Sequence, residues 1–357
     1  MPGPDYCGCG GQPAGHEPRH GTAPKPATLI DLIGTAVFSV LTPALSLVGG
    51  PPVLPPGSNV TVGRSTLELP CSGSACTVTA DWYFPAGPNP PQGLIYFQHG
   101  ILANAAMYSY TAANLAQETD CIVVAPTITS NFFAPNDLWL GGAPMQQAIA
   151  NLFVGDEAAL TASASAAVGH AVTLPQRVVL VGHSLGGGTE LAVAGDMVEN
   201  RSSNKLAGVV MLDGVAVDST LVPTAVAEVP KNLPILLISS PPYWLNRDGL
   251  MATQLVAARP GQFDGVELVG GSHIDAMQGG NPLVQRGAYV VGGFSEPQNI
   301  DAVQTLASGW INDMLDGAHN GIYGSPGQTM QIPTNAGSAT AIALPAPLRR
   351  RYRRTTC

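Results

Sequence analysis

Short apolar runs separated by helical stretches set the pattern of this 357-residue chain. Gly93–Gly100, Cys121–Pro126, Arg177–Val181, Leu206–Leu212, Leu233–Ser239 and Val266–Val269 are rich in Val, Ile and Leu and lack polar alternation. Runs of that kind are strands buried on both faces, as in a parallel sheet. Ser65–Leu69 and Thr77–Phe84 precede them and read as an opening hairpin. Asn104–Glu118, Ala143–Val154, Glu157–Ala167, Thr189–Ala194 and Gly249–Ala258 read as helices, and Ile300–Leu315 as a closing helix. Strands alternating with helices predict an α/β domain, its central sheet mostly parallel and covered by helices on both faces.

The ends of the chain differ from this middle. Residues 1–27 are rich in Pro, Gly and His, a composition that does not build a core. Residues 28–48 are apolar, interrupted by Asp31 and Pro43 and preceded only by Arg19 and Lys25. That stretch fits an export signal, an anchor to membrane or cell envelope, or a helix docked on the domain. The Gly/Pro-rich stretch 49–57 is a linker. The expected division is therefore 1–59 as N-terminal segment and linker, 60–323 as the catalytic domain, and 324–357 as a structureless tail. The tail turns to Gly, Pro, Thr and Ala and ends in Arg349-Arg350-Arg351-Tyr352-Arg353-Arg354. No internal repeat is present.

Composition narrows the function. A net charge of −9, only 11% charged residues and no basic stripe in the body of the chain argue against nucleic acid. A sparsely charged surface suits an uncharged or lipidic small molecule. Cys71 and Cys76 bracket Ser-Gly-Ser-Ala and can close a small disulfide, which points to an oxidising compartment and export or cell-envelope association, with a cytoplasmic location as the alternative. Cys121 opens an apolar run and reads as a buried free thiol. Cys7, Cys9, His16 and His20 can be drawn as a metal site, but their Gly/Pro-rich surroundings offer no scaffold, and no metal or other cofactor is expected. Oligomeric state is not written in the sequence.

The chemistry centres on Gly182-His183-Ser184-Leu185-Gly186, which follows the Arg177–Val181 strand and precedes a helix. This is G-x-S-x-G. A serine on so sharp a strand-to-helix turn needs small residues two before and two after it. A serine nucleophile also needs a base, a carboxylate to orient the base, and donors for the oxyanion. Between Ser184 and the tail only His273 and His319 are histidines. His273 directly follows a strand and is the expected base; His319 follows the closing helix and should be superficial. The His99-Gly100 turn would present the Ile101 N–H as oxyanion donor together with that of Leu185. Asp213 ends the Leu206–Leu212 strand and would project into the same edge as Ser184. Asp248 is the rival acid, although helix capping also explains it.

Gly182–Gly186, the His99-Gly100 turn, Leu212-Asp213-Gly214 and Gly271-Ser272-His273 together resemble the α/β-hydrolase superfamily. Within it, the chain is similar to the branch of plasma-type platelet-activating-factor acetylhydrolases, chlorophyllases and cutinase-like polyester hydrolases. The resemblance covers about residues 65–315. It implies a metal-free esterase of α/β-hydrolase fold that works through an acyl-enzyme. Many members take the acid from the loop after the penultimate strand. Here Leu233–Ser240 is followed by no carboxylate until Asp248, whereas the acid of this branch sits one strand earlier, at Asp213.

Aromatic residues gather in segments expected to rim the site: Tyr108, Tyr110, Phe132, Phe133, Trp139, Tyr243 and Trp244. Together they suggest an apolar acyl pocket for short- to medium-chain esters. Acyl transfer to an alcohol on the same residues, and a non-catalytic binding or surface protein on a hydrolase scaffold, are the alternatives.

Overall fold

The computed structural model describes residues 50–71, 76–130, 138–279, 281–282, 285–286, 289 and 292–346. The stretch 28–48, the Cys7/Cys9 cluster, Phe132, Phe133 and the arginine-rich end lie outside the described residues.

The opening hairpin forms from β1 (Thr61–Leu69) and β2 (Cys76–Phe84), paired antiparallel. Then come β3 (Leu94–Gln98), α1 (Ser109–Thr119), β4 (Ile122–Thr127), α2 (Ala143–Asn151), α3 (Ala158–Val168) and β5 (Val178–His183). The chain continues through α4 (Leu185–Glu199), β6 (Leu206–Leu212), α5 (Leu221–Glu228), β7 (Ile235–Ser239), α6 (Leu250–Ala258) and β8 (Gly265–Leu268). It closes with α7 (Pro297–Asp316), β9 (Thr329–Thr334) and β10 (Gly337–Ala343). One sheet holds the ten strands of the described residues in the order β1-β2-β4-β3-β5-β6-β7-β8-β10-β9. Strands β4, β3, β5, β6, β7 and β8 run parallel, and both flanks are antiparallel.

Strand alternation builds two cores. In β3, Leu94 and Tyr96 join the core under α2 to α6, while Ile95 and Phe97 join the one under α1 and α7. Val178 and Leu180 of β5 divide from Val179 and Val181 in the same way. Helix α7 starts on Pro297 and stops at Gly317, whose φ of 76° continues no helix. Its buried Ala302, Leu306 and Trp310 recur at helical spacing against the sheet.

Three expectations need correction. The catalytic domain does not end at 323, and the tail is not structureless from 324. A hairpin of β9 and β10 adds to the β8 edge, so the sheet extends to Ala343. Buried Met330 and Ile332 alternate with exposed Thr329, Gln331 and Pro333, and Pro333 is tolerated because β9 is an edge strand. The helix expected from Asn104 starts instead as a 3-10 turn over Ala105–Tyr108, where Asn104 Oδ1 accepts from the Met107 N–H at 3.3 Å. The next helix, α6, takes Gly249 at φ 75° as its N-cap residue, with Asp248 just before it. Cys71 and Cys76 are bonded, and Cys121 is a buried free thiol. No helix among the described residues is long and apolar enough to cross a membrane.

Candidate active site

The carboxyl ends of the parallel strands converge on Ser184. Its φ of 54° and ψ of −122° lie where non-glycine residues rarely go, so the surrounding backbone must hold it. The Ser184 N–H donates to the Leu212 carbonyl at 3.0 Å, and the Ser184 carbonyl accepts from Val215 N–H at 2.7 Å and Gly187 N–H at 3.0 Å. The two flanking glycines are needed sterically. A Cβ on Gly182 would strike the Gly186 backbone, and one on Gly186 the carbonyl oxygens of Gln98 and His99.

His273 follows β8 and Asp213 follows β6, both strands on the same side of β5 in the sheet, and His273 stands between Asp213 and the serine. His273 Nε2 lies 2.8 Å from Ser184 Oγ, and His273 Nδ1 lies 2.5 Å from Asp213 Oδ2. Burial by itself would raise the Asp213 pKa, but hydrogen bonds from His273 and Ser240 outweigh it and hold the carboxyl below its ordinary value. An ionised Asp213 only accepts, so His273 carries its proton on Nδ1 and turns the Nε2 lone pair to the serine hydroxyl. Asp213 is itself in the left-handed region at φ 43°. Ser240 secures it through its N–H to Oδ1 at 2.9 Å and its hydroxyl to Oδ2 at 2.7 Å. Asn246 Nδ2 adds a longer bond to Oδ1 at 3.3 Å. The loop after β7 thus supplies donors, Ser240 and Asn246, to the carboxylate at the end of β6.

The hydrogen-bonded chain to Ser184 runs through Asp213 and not through Asp248. Asp248 is exposed, sits at φ 56°, and donates its N–H to the Tyr243 carbonyl at 2.8 Å.

The oxyanion turn is packed against the serine: a Cβ on Gly100 would lie 3.0 Å from Ser184 Cβ. His99 braces it from within. The Ile128 N–H donates to His99 Nε2 at 3.0 Å, which leaves Nδ1–H to donate to the Gly100 carbonyl at 2.8 Å. Burial lowers the His99 pKa to about 4, which keeps the ring neutral. Leu102 N–H donates to Ser130 Oγ at 2.9 Å, and Gly100 N–H to Tyr108 Oη at 3.1 Å. Ile101 lies between these two anchored residues. Leu185 opens α4, where the first amides of a helix lack intrahelical acceptors and the helix dipole favours negative charge.

The aromatic set scatters. Tyr108 is fully buried and bonded to His183, so it is not a pocket residue. Trp139 folds back on its own loop, where Gly141 and Gly142 leave room for the ring. Tyr110 lies in α1, its N–H donating to the Gln278 carbonyl at 3.0 Å. Tyr243 stands edge-on to the His273 ring at 6.1 Å, and the adjacent Trp244 is 70% exposed. His319 is exposed and stacks on Tyr323. Ser240, Asn246 and His183 complete the site and were not among the expected residues. The only local hint was a Ser-Ser pair at the end of the strand beside the acid's own.

Comparison with known proteins bears on the fold. No family model matches the chain, and no curated relative matches it. Solved structures do. The brefeldin A esterase, a bacterial homologue of human hormone-sensitive lipase, superposes with a TM-score of 0.51 at 14% identity, over 83% of this chain and 89% of its own. A double mutant of esterase rPPE gives 0.51 at 16% identity, over 82% and 93%. The chain has the α/β-hydrolase fold. Identities this low carry the architecture and not the substrate.

Proposed function

We propose that the chain is a serine hydrolase that cleaves carboxylic esters through an acyl-enzyme. The observation that carries this reading is the continuous hydrogen-bonded chain from Ser184 Oγ through His273 to Asp213, at a serine held in a strained turn. Ser184 Oγ attacks the ester carbonyl as His273 Nε2 takes its proton. The Leu185 and Ile101 N–H groups receive the oxyanion. Collapse expels the alcohol, which leaves with the proton from His273. Water then repeats the sequence on the acyl-serine, and Asp213 stabilises the imidazolium in both halves. These steps call on no cofactor. Exposed Ile101, Leu102 and Trp244 in the segments flanking the serine favour an apolar ester over a peptide. Both structural neighbours are esterases, in keeping with this. An acid placed after β6 supports kinship with the acetylhydrolase and chlorophyllase branch.

A fluorophosphonate probe should label the wild type and not Ser184→Ala, and short- to medium-chain p-nitrophenyl esters should be turned over only by the former. Amide cleavage without esterase turnover would overturn the reading.

We also propose an oxidising compartment, supported by the bond between Cys71 and Cys76, whose Cα atoms are 5.9 Å apart. The peptide spanning them should gain about 2 Da on reduction. Free thiols at both positions in protein isolated from its own cells would argue against export.

A further inference from the structure

A second buried chain of hydrogen bonds runs behind the serine, and the hydrolase mechanism does not use it. Gly100 N–H donates to Tyr108 Oη at 3.1 Å, Tyr108 Oη lies 2.7 Å from His183 Nδ1, and His183 Nε2 lies 2.6 Å from the His273 carbonyl oxygen. The directions follow from what each atom can do. A carbonyl oxygen only accepts, so His183 Nε2 carries a hydrogen. In a neutral imidazole Nδ1 is then an acceptor, and the Tyr108 hydroxyl must donate to it. The phenol oxygen is left to accept from Gly100. Burial, with His273 as a neighbour, lowers the His183 pKa to about 3, so this single tautomer persists across the working range. Tyr108, His183 and His273 are all buried, and the His183 and His273 rings stand 4.8 Å apart.

We propose that Tyr108 and His183 are positioning residues that lock the oxyanion turn and the backbone of the base to one another across Ser184. The proposal rests on the ester-hydrolase reading. One end of the chain fixes Gly100, and because that N–H is already engaged, the next amide, Ile101, is the one left to face the oxyanion. The other end fixes the backbone from which the His273 ring projects. Oxyanion donors and base contribute only when both meet the same tetrahedral centre, and small displacements are costly there. His183 occupies the variable position of G-x-S-x-G, so the elbow itself carries the link. Out of water, the three bonds reinforce one another.

The test is a double-mutant cycle of Tyr108→Phe and His183→Leu. It is assayed with p-nitrophenyl butyrate and with an alkyl boronic acid as a tetrahedral analogue, and site concentrations come from fluorophosphonate titration. Each single variant should label fully, lose roughly 10- to 100-fold in kcat, and keep KM within about twofold. Boronate affinity should fall in step with kcat. The double variant should lose no more than the worse single one, because either change breaks the same chain. His183→Gln, whose amide can accept at one atom and donate at the other, should recover most of the kcat that His183→Leu loses. If Tyr108→Phe does not fold, this Gln-against-Leu contrast decides alone. Additive losses, a raised KM with kcat intact, or equal loss in the Gln and Leu variants would overturn the proposal. A wild type that neither labels nor turns over ester removes the parent reading and this one with it; an active wild type with fully active Tyr108→Phe removes this one alone.

Discussion

Two of the carboxyl groups withdrawn from water around Ser184, Asp213 and Glu190, meet opposite fates. Asp213, at the end of β6, accepts from His273, from Ser240 twice and from Asn246, and its pKa is held below the ordinary value. Glu190, in the second turn of α4, is fully buried, and neither of its oxygens has a hydrogen-bond partner among the described residues. Burial alone acts on it and pushes its pKa well above the carboxylate range. Loss of solvent penalises both charges; the donors decide which one survives. Asp213 stands where loops from several strand ends bring donors together. Glu190 lies near Tyr96, whose hydroxyl, like the amide of Gln98, also has no hydrogen-bond partner among the described residues. Donors favour the charged form of the one carboxyl, and burial favours the neutral form of the other.

The sharpest way to break this comparison is to remove the negative charge from each without changing its shape. Asp213→Asn should lower kcat by roughly 10²–10⁴ with little change in KM, because His273 loses the acceptor that fixes its tautomer. Glu190→Gln should leave turnover within about twofold, since a neutral acid and an amide present similar dipoles. Asp248→Asn, at an exposed residue outside the hydrogen-bonded chain from Asp213 to Ser184, should match wild type. One ester assayed with all three variants is enough, and a large loss at Glu190 or Asp248 with near-normal Asp213→Asn would reverse the assignment.

The readable and unreadable parts of this chain separate along the same physical line. Buried parallel strands announce themselves as apolar runs, and residues at their carboxyl ends share one edge, so the G-x-S-x-G motif, strand-end position and the family resemblance together pointed to Ser184, His273 and Asp213. The hydrogen-bond partners did not. His183 meets Tyr108 across 75 residues, and Asn246 reaches Asp213 across 33. No local period encodes such meetings. Tyr108 in particular looked like a rim aromatic because its hydroxyl partner is tertiary. The β9–β10 hairpin was a different failure. Its alternation at Met330 and Ile332 was present in the sequence, but Gly, Pro, Thr and Ala around it gave the composition of a tail. Its apolar face is supplied largely by small side chains, Ala339, Ala341 and Ala343, which bury well against α7 and β8 without standing out in a hydropathy reading.

A smaller effect sharpens the comparison through pH. The folded-state pKa of Glu190 is raised, so its contribution to stability is fully present below the unfolded value near 4.3 and is lost as pH climbs toward the folded one. For Asp213 the folded pKa is depressed. Its contribution is present above the unfolded value near 3.9 and is lost as pH falls through the folded one. Urea unfolding at about pH 4, 6 and 8 should therefore show Glu190→Gln gaining on wild type as pH rises, by at most about 1.4 kcal/mol per unit. Asp213→Asn should be most costly at neutral pH and less so in acid. Subtracting wild type removes the common contribution of the buried histidines, His99 and His183, which lose stability in acid in every variant. A Glu190→Gln difference that is flat with pH would mean that Glu190 finds donors in solution.

The finest test makes one chemical change on the two sides of the sheet. Tyr96 and Tyr108 are both fully buried, and each presents a single hydroxyl to the interior. Tyr108 Oη bridges Gly100 and His183, so Tyr108→Phe strands a backbone N–H and an imidazole nitrogen; unmet buried groups cost about 1–3 kcal/mol. Tyr96 Oη is desolvated beside Glu190 with no partner among the described residues, while its ring packs edge-on against Phe153 at 5.9 Å. Tyr96→Phe keeps that ring contact and deletes only an unsatisfied oxygen. It should leave stability unchanged or raise it by up to about 1 kcal/mol, at unaltered kcat. Tyr108→Phe should thus lower the urea midpoint while Tyr96→Phe leaves it unchanged or raises it, at the same m-value. If Tyr96→Phe instead destabilises as much as Tyr108→Phe, then Tyr96, Gln98 and Glu190 are satisfied in solution, through one another or through internal water. The contrast between a donor-rich and a donor-poor side of the nucleophile would then vanish.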